Sequence, residues 1–246
     1  MVVTPEKVGE KHLHAFATGS TTGPLRRAAQ AFVLQEDVNL DVTVGPSDRL
    51  IPQMCERHAG DLFCGGCGAS MDAAMVFGAM LAESIQHLGA RETVVLVPNG
   101  NPAEVVELRD LTRRDVRLGV SSVGSLANLW EEVALRANMF HTMRRRITSV
   151  SIGSSELITV LARREVDASI GWASIALLAP ERVEMVPIPP EWCSWRVTSI
   201  GITPWSPNRE LAKRFIDFLV STEGQQVYHK FGWKPIEAAK VPMRTL

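Results

Sequence analysis

The stretch HLHAFATGSTTGPLRRAAQAF, residues 12–32, contains the unit from which the rest of the chain is built. Its first seven residues predict a strand over 12–18, and apolar residues from Leu25 to Phe32 recur at helical spacing. A short loop of glycine and hydroxyl residues, Gly19 to Gly23, joins the two. The stretch therefore predicts a strand that passes through a polar loop into a helix.

The same alternation of strand and helix recurs along the chain. Eight further strands are predicted, over residues 39–45, 60–66, 92–98, 115–121, 147–152, 166–172, 182–188 and 197–203. Residues 208–233 predict two closing helices, with a break near Ser221. Repeated alternation of this kind is typical of an α/β protein in which mostly parallel sheets are flanked by helices.

Two proline-rich passages divide the chain. They are LVPNGNPAEV, residues 96–105, and VPIPPEWCSWRVTSIGIT, residues 186–203. If the chain crosses between lobes at both, residues 1–96 and 197–246 form a discontinuous first lobe, and residues 97–196 form the second. Two lobes joined by two segments predict a hinge and a ligand cleft between the lobes.

Composition excludes several classes of function. The chain has 246 residues, of which 46% are hydrophobic and 22% charged, and its net charge is -1. This balance predicts no binding to nucleic acid or to an anionic membrane, and the basic run MRRRI, residues 143–147, is interpreted as a solvated helix end. No stretch approaches the roughly 18 apolar residues of a membrane span, so we expect no membrane insertion.

The first residues, MVVTPEKVGEKHLHAF, lack the apolar segment of a secretory signal peptide. A leader removed from the protein and a cytosolic location both remain open on the residues alone.

Four predicted loops between a strand and a helix carry glycine and hydroxyl residues. The first turn of a helix leaves backbone N–H groups without partners and carries a partial positive charge, so several such ends together bind an anion without lysine or arginine. Each loop has a second interpretation, because Ser and Thr are also common N-caps. The candidate residues are Ser20 and Thr21, Ser47, Ser125, and Gly153, Ser154 and Ser155.

The first of these loops is not a nucleotide-binding loop. Pro24 and Leu25 stand where a phosphate-binding loop has lysine followed by Ser or Thr, and no G-x-G-x-x-G motif opens the first helix. A nucleotide site is therefore not expected.

From Leu13 to Trp233 the order of segments resembles the type 2 periplasmic solute-binding proteins. It is similar to their molybdate-binding-protein-like branch, and most of all to the accessory colonization factor C group. The resemblance is carried by GDLFCGG (60–66), VLVPNGNPAEVVELRDL (95–111), NLWEEVA (128–134), the long passage 166–203, and AKRFIDFLVSTEGQQVYHKFGW (212–233).

The resemblance implies a two-lobed protein that closes on a small solute and delivers it to an ABC permease and its ATPase, which it meets transiently. It also implies a periplasmic or extracellular location. In molybdate-binding relatives, uncharged loop hydroxyl and backbone N–H groups hold the oxyanion. The four loops listed above match those positions, and Trp172 stands where such proteins commonly use tyrosine. Trp172 is either a donor to the ligand or an aromatic of the core or cleft wall.

The segment Cys64-Gly65-Gly66-Cys67 departs from these relatives. Three interpretations stay open: a disulfide or redox pair, a zinc site with Cys55 and His58, or two small residues that line the first lobe, which we favour. Cys64 and Gly65, together with Gly19, are secondary candidates for contact with the ligand.

The remaining polar candidates have a structural as well as a functional interpretation. Arg196 is either a clamp for a carboxylate or sulfate or one half of a surface ion pair. His12 and His14 share a strand face, which suits a polar edge better than a metal site. Glu131 and Glu132 are expected to face solvent, and no catalytic, metal or cofactor constellation is recognised.

We therefore expect a monomeric, non-enzymatic solute-binding protein that captures a small anion, most simply a tetrahedral oxyanion such as sulfate, molybdate or tungstate. Three alternatives remain: the same fold binding a carboxylate or amino acid, a sensory domain like that of LysR-type regulators, and an enzyme that uses the C-x-x-C segment.

Overall fold

A computed structural model of the chain describes residues 11–239. Within that range, nine strands coincide with the nine predicted ones and differ mainly at their ends. They are β1 (His12–Thr18), β2 (Asn39–Gly45), β3 (Leu62–Gly65), β4 (Gln86–Pro98), β5 (Leu118–Ser121), β6 (Ile147–Ser151), β7 (Ala168–Trp172), β8 (Val183–Pro187) and β9 (Trp195–Ile202). The largest difference is in β4, which begins six residues before the predicted start at residue 92.

Helices follow most of the strands. They are α1 (Thr22–Glu36), α2 (Ser47–Arg57), α3 (Gly68–Val76), α4 (Leu129–Arg136), α5 (Phe140–Arg144), α6 (Ser154–Ala162), α7 (Ala173–Leu178), α8 (Arg209–Val220) and α9 (Thr222–Lys230). The two closing helices predicted from the sequence are α8 and α9. In the described range, no helix has both the length and the apolar character needed to cross a bilayer.

The chain forms two compact units. Within the described residues, unit 1 contains 11–65, Ala69–His87 and Ser199–Val227, and unit 2 contains Gly66–Gly68, Leu88–Thr198 and 228–239. The predicted boundary between residues 196 and 197 lies within two residues of a passage between the units, whereas the one between residues 96 and 97 lies nine residues after a passage. The prolines after residue 97 mark the end of β4. The chain passes between the units inside β4, between residues 87 and 88, inside β9, between 198 and 199, on both sides of Gly66–Gly68, and between Val227 and Tyr228.

The sheet of unit 1 has the order β2-β1-β3-β9. Strand β1 runs parallel to both β2 and β3, and β9 runs antiparallel to β3. Ala17 lies opposite Val44 on one side and Cys64 on the other, so the carboxyl ends of the three parallel strands meet at one edge. Beneath the sheet, Phe16, Phe63 and Met54 belong to a buried cluster.

The sheet of unit 2 repeats this plan. Its order is β6-β5-β7-β4, with β8 on the other side of β4. Strand β5 is parallel to β6 and β7, and β4 is antiparallel to β7 and β8. In both units, therefore, the first parallel strand lies between the second and the third. Ligands of such sheets bind beyond the carboxyl ends of the strands where the order reverses, which is at β1/β3 and at β5/β7.

Candidate functional site

In unit 1, the loop after β1 lies at the point where the strand order reverses. Gly19–Thr21 form a single turn of 3-10 helix that leads into α1. Ser20 is half-buried, and a Cβ atom added at Gly19 would meet no atom within 4 Å. Thr21 is fully buried, and its hydroxyl donates to the Thr18 carbonyl at 2.9 Å. Of the two hydroxyl candidates here, Ser20 is the one with exposed surface.

The loop after β2 places Ser47 in the first turn of α2. Pro46 occupies the N-cap position and no side chain caps this helix, so Ser47 is not a plain capping residue. Ser47 is half-buried. The exposed carboxylate of Asp48 lies in the same first turn, where it interacts favourably with the helix dipole and competes with a bound anion.

The C-x-x-C segment begins inside β3. Cys64 is fully buried in the sheet, and a Cβ atom added at Gly65 would lie 2.6 Å from both Ser70 Oγ and Met71 Sδ. Gly65 is thus required for the close approach of β3 to α3, whatever else it contacts.

The zinc hypothesis gains no support from the structure. Within residues 11–239, no group of three or more His, Cys, Asp or Glu side chains is arranged to hold a metal ion. The Cys55 thiol donates to the Phe77 carbonyl at 3.6 Å, and burial, with a smaller contribution from Glu56, raises the pKa of this thiol.

Both histidines of β1 bond to side chains of β2. His12 contacts Asp41 at 2.9 Å, and His14 contacts the Thr43 hydroxyl at 2.7 Å. Burial lowers the pKa of His14, which favours its neutral form. These contacts favour a polar role over a metal site, but β1 lies between β2 and β3 and is not an edge strand of the sheet.

In unit 2, Ser125 and Trp172 are brought together where the strand order reverses. Ser125 lies in a 3-10 turn, Gly124–Leu126, after β5, and Trp172 ends β7. The Trp172 indole Nε1–H donates to Ser125 Oγ at 3.1 Å. Because Ser125 Oγ accepts this bond, its own O–H is left to donate, and no acceptor for it is found in the described part of the chain. Trp172 is 2% exposed, so it orients Ser125 rather than presenting its own donor to a solute.

The loop after β6 carries the remaining candidates. Gly153 has a φ of 86°, a left-handed conformation that glycine adopts without strain, and its N–H donates to Ser121 Oγ at 3.2 Å. Ser154 and Ser155 are exposed in the first turn of α6, and neither side chain caps the helix. Glu156 reaches back and accepts from the Ile152 N–H at 2.5 Å, which occupies one backbone donor of this loop.

Arg196 forms an ion pair, with Glu132 as its partner. Glu132 also accepts from the Ser194 hydroxyl at 3.1 Å, so it does not simply face solvent as the sequence suggested. The Arg196 guanidinium carbon lies 5.9 Å from the centroid of the Trp172 ring. The pair is half-buried and adjoins the Ser125–Trp172 contact.

Sequence reasoning missed Arg91. Only 1% of this residue is exposed; its guanidinium carbon lies 4.9 Å from the Trp172 ring centroid and 5.2 Å from that of Trp233. Its Nη2 donates to the Gly66 carbonyl at 2.5 Å. The available signal was an arginine in a strand whose second half, VVLVP, is apolar and buried. Two guanidinium groups thus flank one buried indole at the end of β7.

Two cavities in unit 1 lie away from the candidate loops. An open one of ≈ 930 Å³ runs between α1 and the edge strand β2, and another of ≈ 400 Å³ is lined by Cys55, His58, Phe77 and Trp205 among others. Neither is lined by a residue of the four candidate loops, although Cys55 and His58 of the zinc hypothesis line the second.

The topology, with an antiparallel strand added to each reversed parallel sheet, defines the type 2 periplasmic-binding fold that the sequence resemblance implied. Residues 13–234 match the family described as bacterial extracellular solute-binding protein. Because this match covers most of the chain, the protein belongs to that family.

Solved structures of similar fold agree with this assignment. Peb3 from Campylobacter jejuni has a TM-score of 0.76 and 21% identity over 90% of this chain and 99% of its own. The periplasmic molybdate-binding protein of Azotobacter vinelandii has a TM-score of 0.73 and 15% identity over 90% and 98%. The sulfate-binding protein SubI of Mycobacterium tuberculosis has a TM-score of 0.74 and 16% identity over 94% and 88%. No curated protein sequence matches the chain significantly.

Proposed function

We propose that this solute-binding protein captures a small anion, and specifically a tetrahedral oxyanion such as sulfate, molybdate or tungstate. The observation that carries the proposal is the hydrogen bond from Trp172 to Ser125 Oγ. It points a free hydroxyl donor to the carboxyl end of the sheet in unit 2, and Arg91 adds a positive charge beside the same indole. The likeness to molybdate- and sulfate-binding proteins supports this choice of anion.

In this proposal, both units contribute donors. Gly19, Ser20, Ser47 and Gly65 represent unit 1, and Ser125, Gly153, Ser154 and Ser155 represent unit 2. Thr21 and Cys64 are fully buried, so they support these loops and are not proposed as donors. A solute that touches both stabilises the closed form of a hinged protein, so binding shifts the population toward closure. Small-angle scattering with and without the bound anion tests this: an unchanged radius of gyration at saturation contradicts closure.

We further propose that the protein acts outside the cytoplasmic membrane as a monomer without catalytic activity. It would meet an ABC permease and its ATPase transiently. A thermal-shift screen tests the central claim with sulfate, molybdate, tungstate and phosphate, against amino acids and dicarboxylates. At 100 times Kd a ligand stabilises the folded protein by about 2.7 kcal/mol. Stabilisation by none of the tetrahedral oxyanions would refute the proposal.

The two guanidinium groups beside Trp172 favour a second candidate, a small organic anion. Arginine binds carboxylate and phosphate in a bidentate manner, and one of the similar structures is PEB3 with L-phospholactate bound. The same screen separates the two candidates when small carboxylates and phosphorylated acids are included. Stabilisation by these alone would establish the second candidate.

A further inference from the structure

The amino-terminal ends of β5, β6 and β7 in unit 2 lie opposite the candidate loops and form a strongly basic surface. Strands β5, β6 and β7 start in register, with Leu118 opposite both Ile147 and Ala168. Each start follows a run of arginines, and parallel pairing brings the three runs to one edge. We call this set the arginine edge: Arg113–Arg114, Arg117, Arg144–Arg146 and Arg163–Arg164.

Contacts between the runs show that they adjoin. Arg117 donates to the Arg164 carbonyl at 2.8 Å, and Arg146 donates to the Arg114 carbonyl at 3.5 Å. The Leu118 N–H also donates to the Arg146 carbonyl at 2.8 Å. Residues 143–147, which the sequence predicts to be a solvated helix end, are therefore part of a larger basic cluster.

Nearby carboxylates neutralise only part of this charge. Asp115 pairs with Arg113 at 2.6 Å, Asp167 pairs with Arg117 at 2.8 Å, and Glu165 lies 3.8 Å from Arg163. Asp110 lies 4.0 Å from Arg113, and Glu104 also faces Arg113. The hydrogen bond from Arg117 is the main cause that lowers the pKa of Asp167, so this carboxylate stays ionised and paired.

Five arginines of the edge have no ion pair within residues 11–239. They are Arg114, Arg144, Arg145, Arg146 and Arg164, and all except the half-buried Arg146 are exposed. Arginine is suited to phosphate groups because its planar fork donates two parallel hydrogen bonds. Neighbouring strands are about 4.8 Å apart, so the three runs form a broad surface rather than a single-ion site.

The surroundings of the arginines narrow the choice of partner. The only apolar residue within the three runs, Val116, is buried, so the edge lacks the apolar centre typical of protein interfaces. Phe140 is stacked on Trp130 at 5.4 Å, and the Arg144 guanidinium lies over its ring at 5.8 Å, so this ring is not free to stack on a nucleic-acid base. A broad array of phosphate groups is the partner that fits the remaining features.

We propose that the arginine edge docks unit 2 on an anionic phospholipid surface, with the unpaired arginines against the lipid phosphates. This docking is independent of solute capture, because the candidate loops lie at the other ends of the same strands.

Sedimentation with vesicles tests the proposal on the full chain. The vesicles contain phosphatidylcholine alone or with about 30 mol% phosphatidylglycerol, at about 0.05 M and 0.5 M salt. We expect binding to the anionic vesicles only, and weakening by salt. The triple variant R114Q/R145Q/R164Q should bind on the order of a hundredfold more weakly, since each basic residue near such a surface contributes about fivefold.

The matched control is R26Q/R27Q/R49Q, which removes three exposed arginines of unit 1 and should bind vesicles about as well as the wild type. Single variants at Arg114, Arg145 and Arg164 extend the test if the triple variant does not fold. Three outcomes would overturn the proposal: no wild-type binding to anionic vesicles, equal losses in edge and control variants, or binding to a single-stranded oligonucleotide or an acidic protein without binding to vesicles. Unchanged solute affinity in the edge variant is also expected, and it separates this proposal from the proposed function.

Discussion

Strands β3 and β7 occupy equivalent places in the two sheets, yet β3 ends in Gly65 and β7 ends in Trp172. At Gly65, a side chain would collide with Ser70 and Met71. At Trp172, the largest side chain is buried, orients Ser125, and is flanked by Arg91 and Arg196. The same topology therefore presents mainly backbone and small hydroxyl groups in unit 1 and ordered side-chain donors in unit 2.

The two units also differ in net charge, and unit 2 is the more positive. Within the described residues, unit 1 has eight basic and eleven acidic residues, whereas unit 2 has fifteen and fourteen. The overall net charge of -1 does not show this difference. Eight of the basic residues of unit 2 form the arginine edge, at the opposite ends of the strands from the candidate loops, whereas Arg91 and Arg196 place positive charge beside Trp172.

The sharpest test of this comparison is Arg91→Met. Loss of a buried guanidinium beside Trp172 should weaken anion binding roughly 30-fold, which is the effect of about 2 kcal/mol for one charged interaction. Isothermal titration calorimetry with the anion found in the screen measures it. Arg109→Met removes an exposed arginine over Trp192 and serves as the control. Equal affinity in the two variants would contradict a role for Arg91.

Gly65→Ala tests the corresponding position of unit 1. Because the added methyl group would approach Ser70 and Met71 within 2.6 Å, we expect a loss of about 2 kcal/mol in the free energy of unfolding. Urea unfolding measures the change. Gly68→Ala is the control, since a Cβ atom there meets nothing within 4 Å. Comparable stability of the two variants would show that β3 and α3 adjust to a side chain.

Trp172→Phe keeps an aromatic ring and removes the donor to Ser125. Affinity for the anion should fall about fivefold, corresponding to the net value of one hydrogen bond of about 1 kcal/mol. In a double-mutant cycle with Ser125→Ala, the two losses should not add, because both act through the same hydroxyl. Trp205→Phe, which removes an indole donor to Ala59 in unit 1, should leave affinity unchanged. Fully additive losses of affinity would show that Trp172 and Ser125 act independently.

The smallest effects are expected at Ser47 and Ser154. Each change to alanine removes one hydroxyl at a helix start and should weaken binding by about two- to fivefold, with little change in stability. Thr112→Ala removes a hydroxyl of unit 2 that bonds locally to Arg109 and is the control. If neither serine variant differs from this control in titration, the helix-start hydroxyls do not contribute to the site.

Much of the fold was predictable from local sequence. Strand periodicity predicted β1 and β2 at their exact bounds, because each strand is short and ends at glycine, proline or polar residues. The passage between the units inside β4 was not predictable in this way. Proline at residue 98 ends β4, but the passage between units lies ten residues earlier, inside a continuous strand that carries no local signal.

The candidate site likewise has features that the sequence predicted and features that it did not. Glycine and hydroxyl residues after strands predicted the loops, because helix starts have recognisable local chemistry. The partner of each hydroxyl was not predictable: Thr21 bonds back to Thr18, whereas Ser125 is oriented by Trp172, 47 residues away. Arg91 was not predicted because the two tryptophans that it contacts, Trp172 and Trp233, are distant from it in sequence.

By itself, the amino-acid sequence determined the alternation of strands and helices, the family and the positions of the donor-rich loops, since these depend on residue patterns within short windows. Tertiary structure decided which donors remain open to a solute, which guanidinium groups adjoin Trp172, and that three separate arginine runs form one edge. These features depend on strand order and register, through which residues far apart in the chain become neighbours.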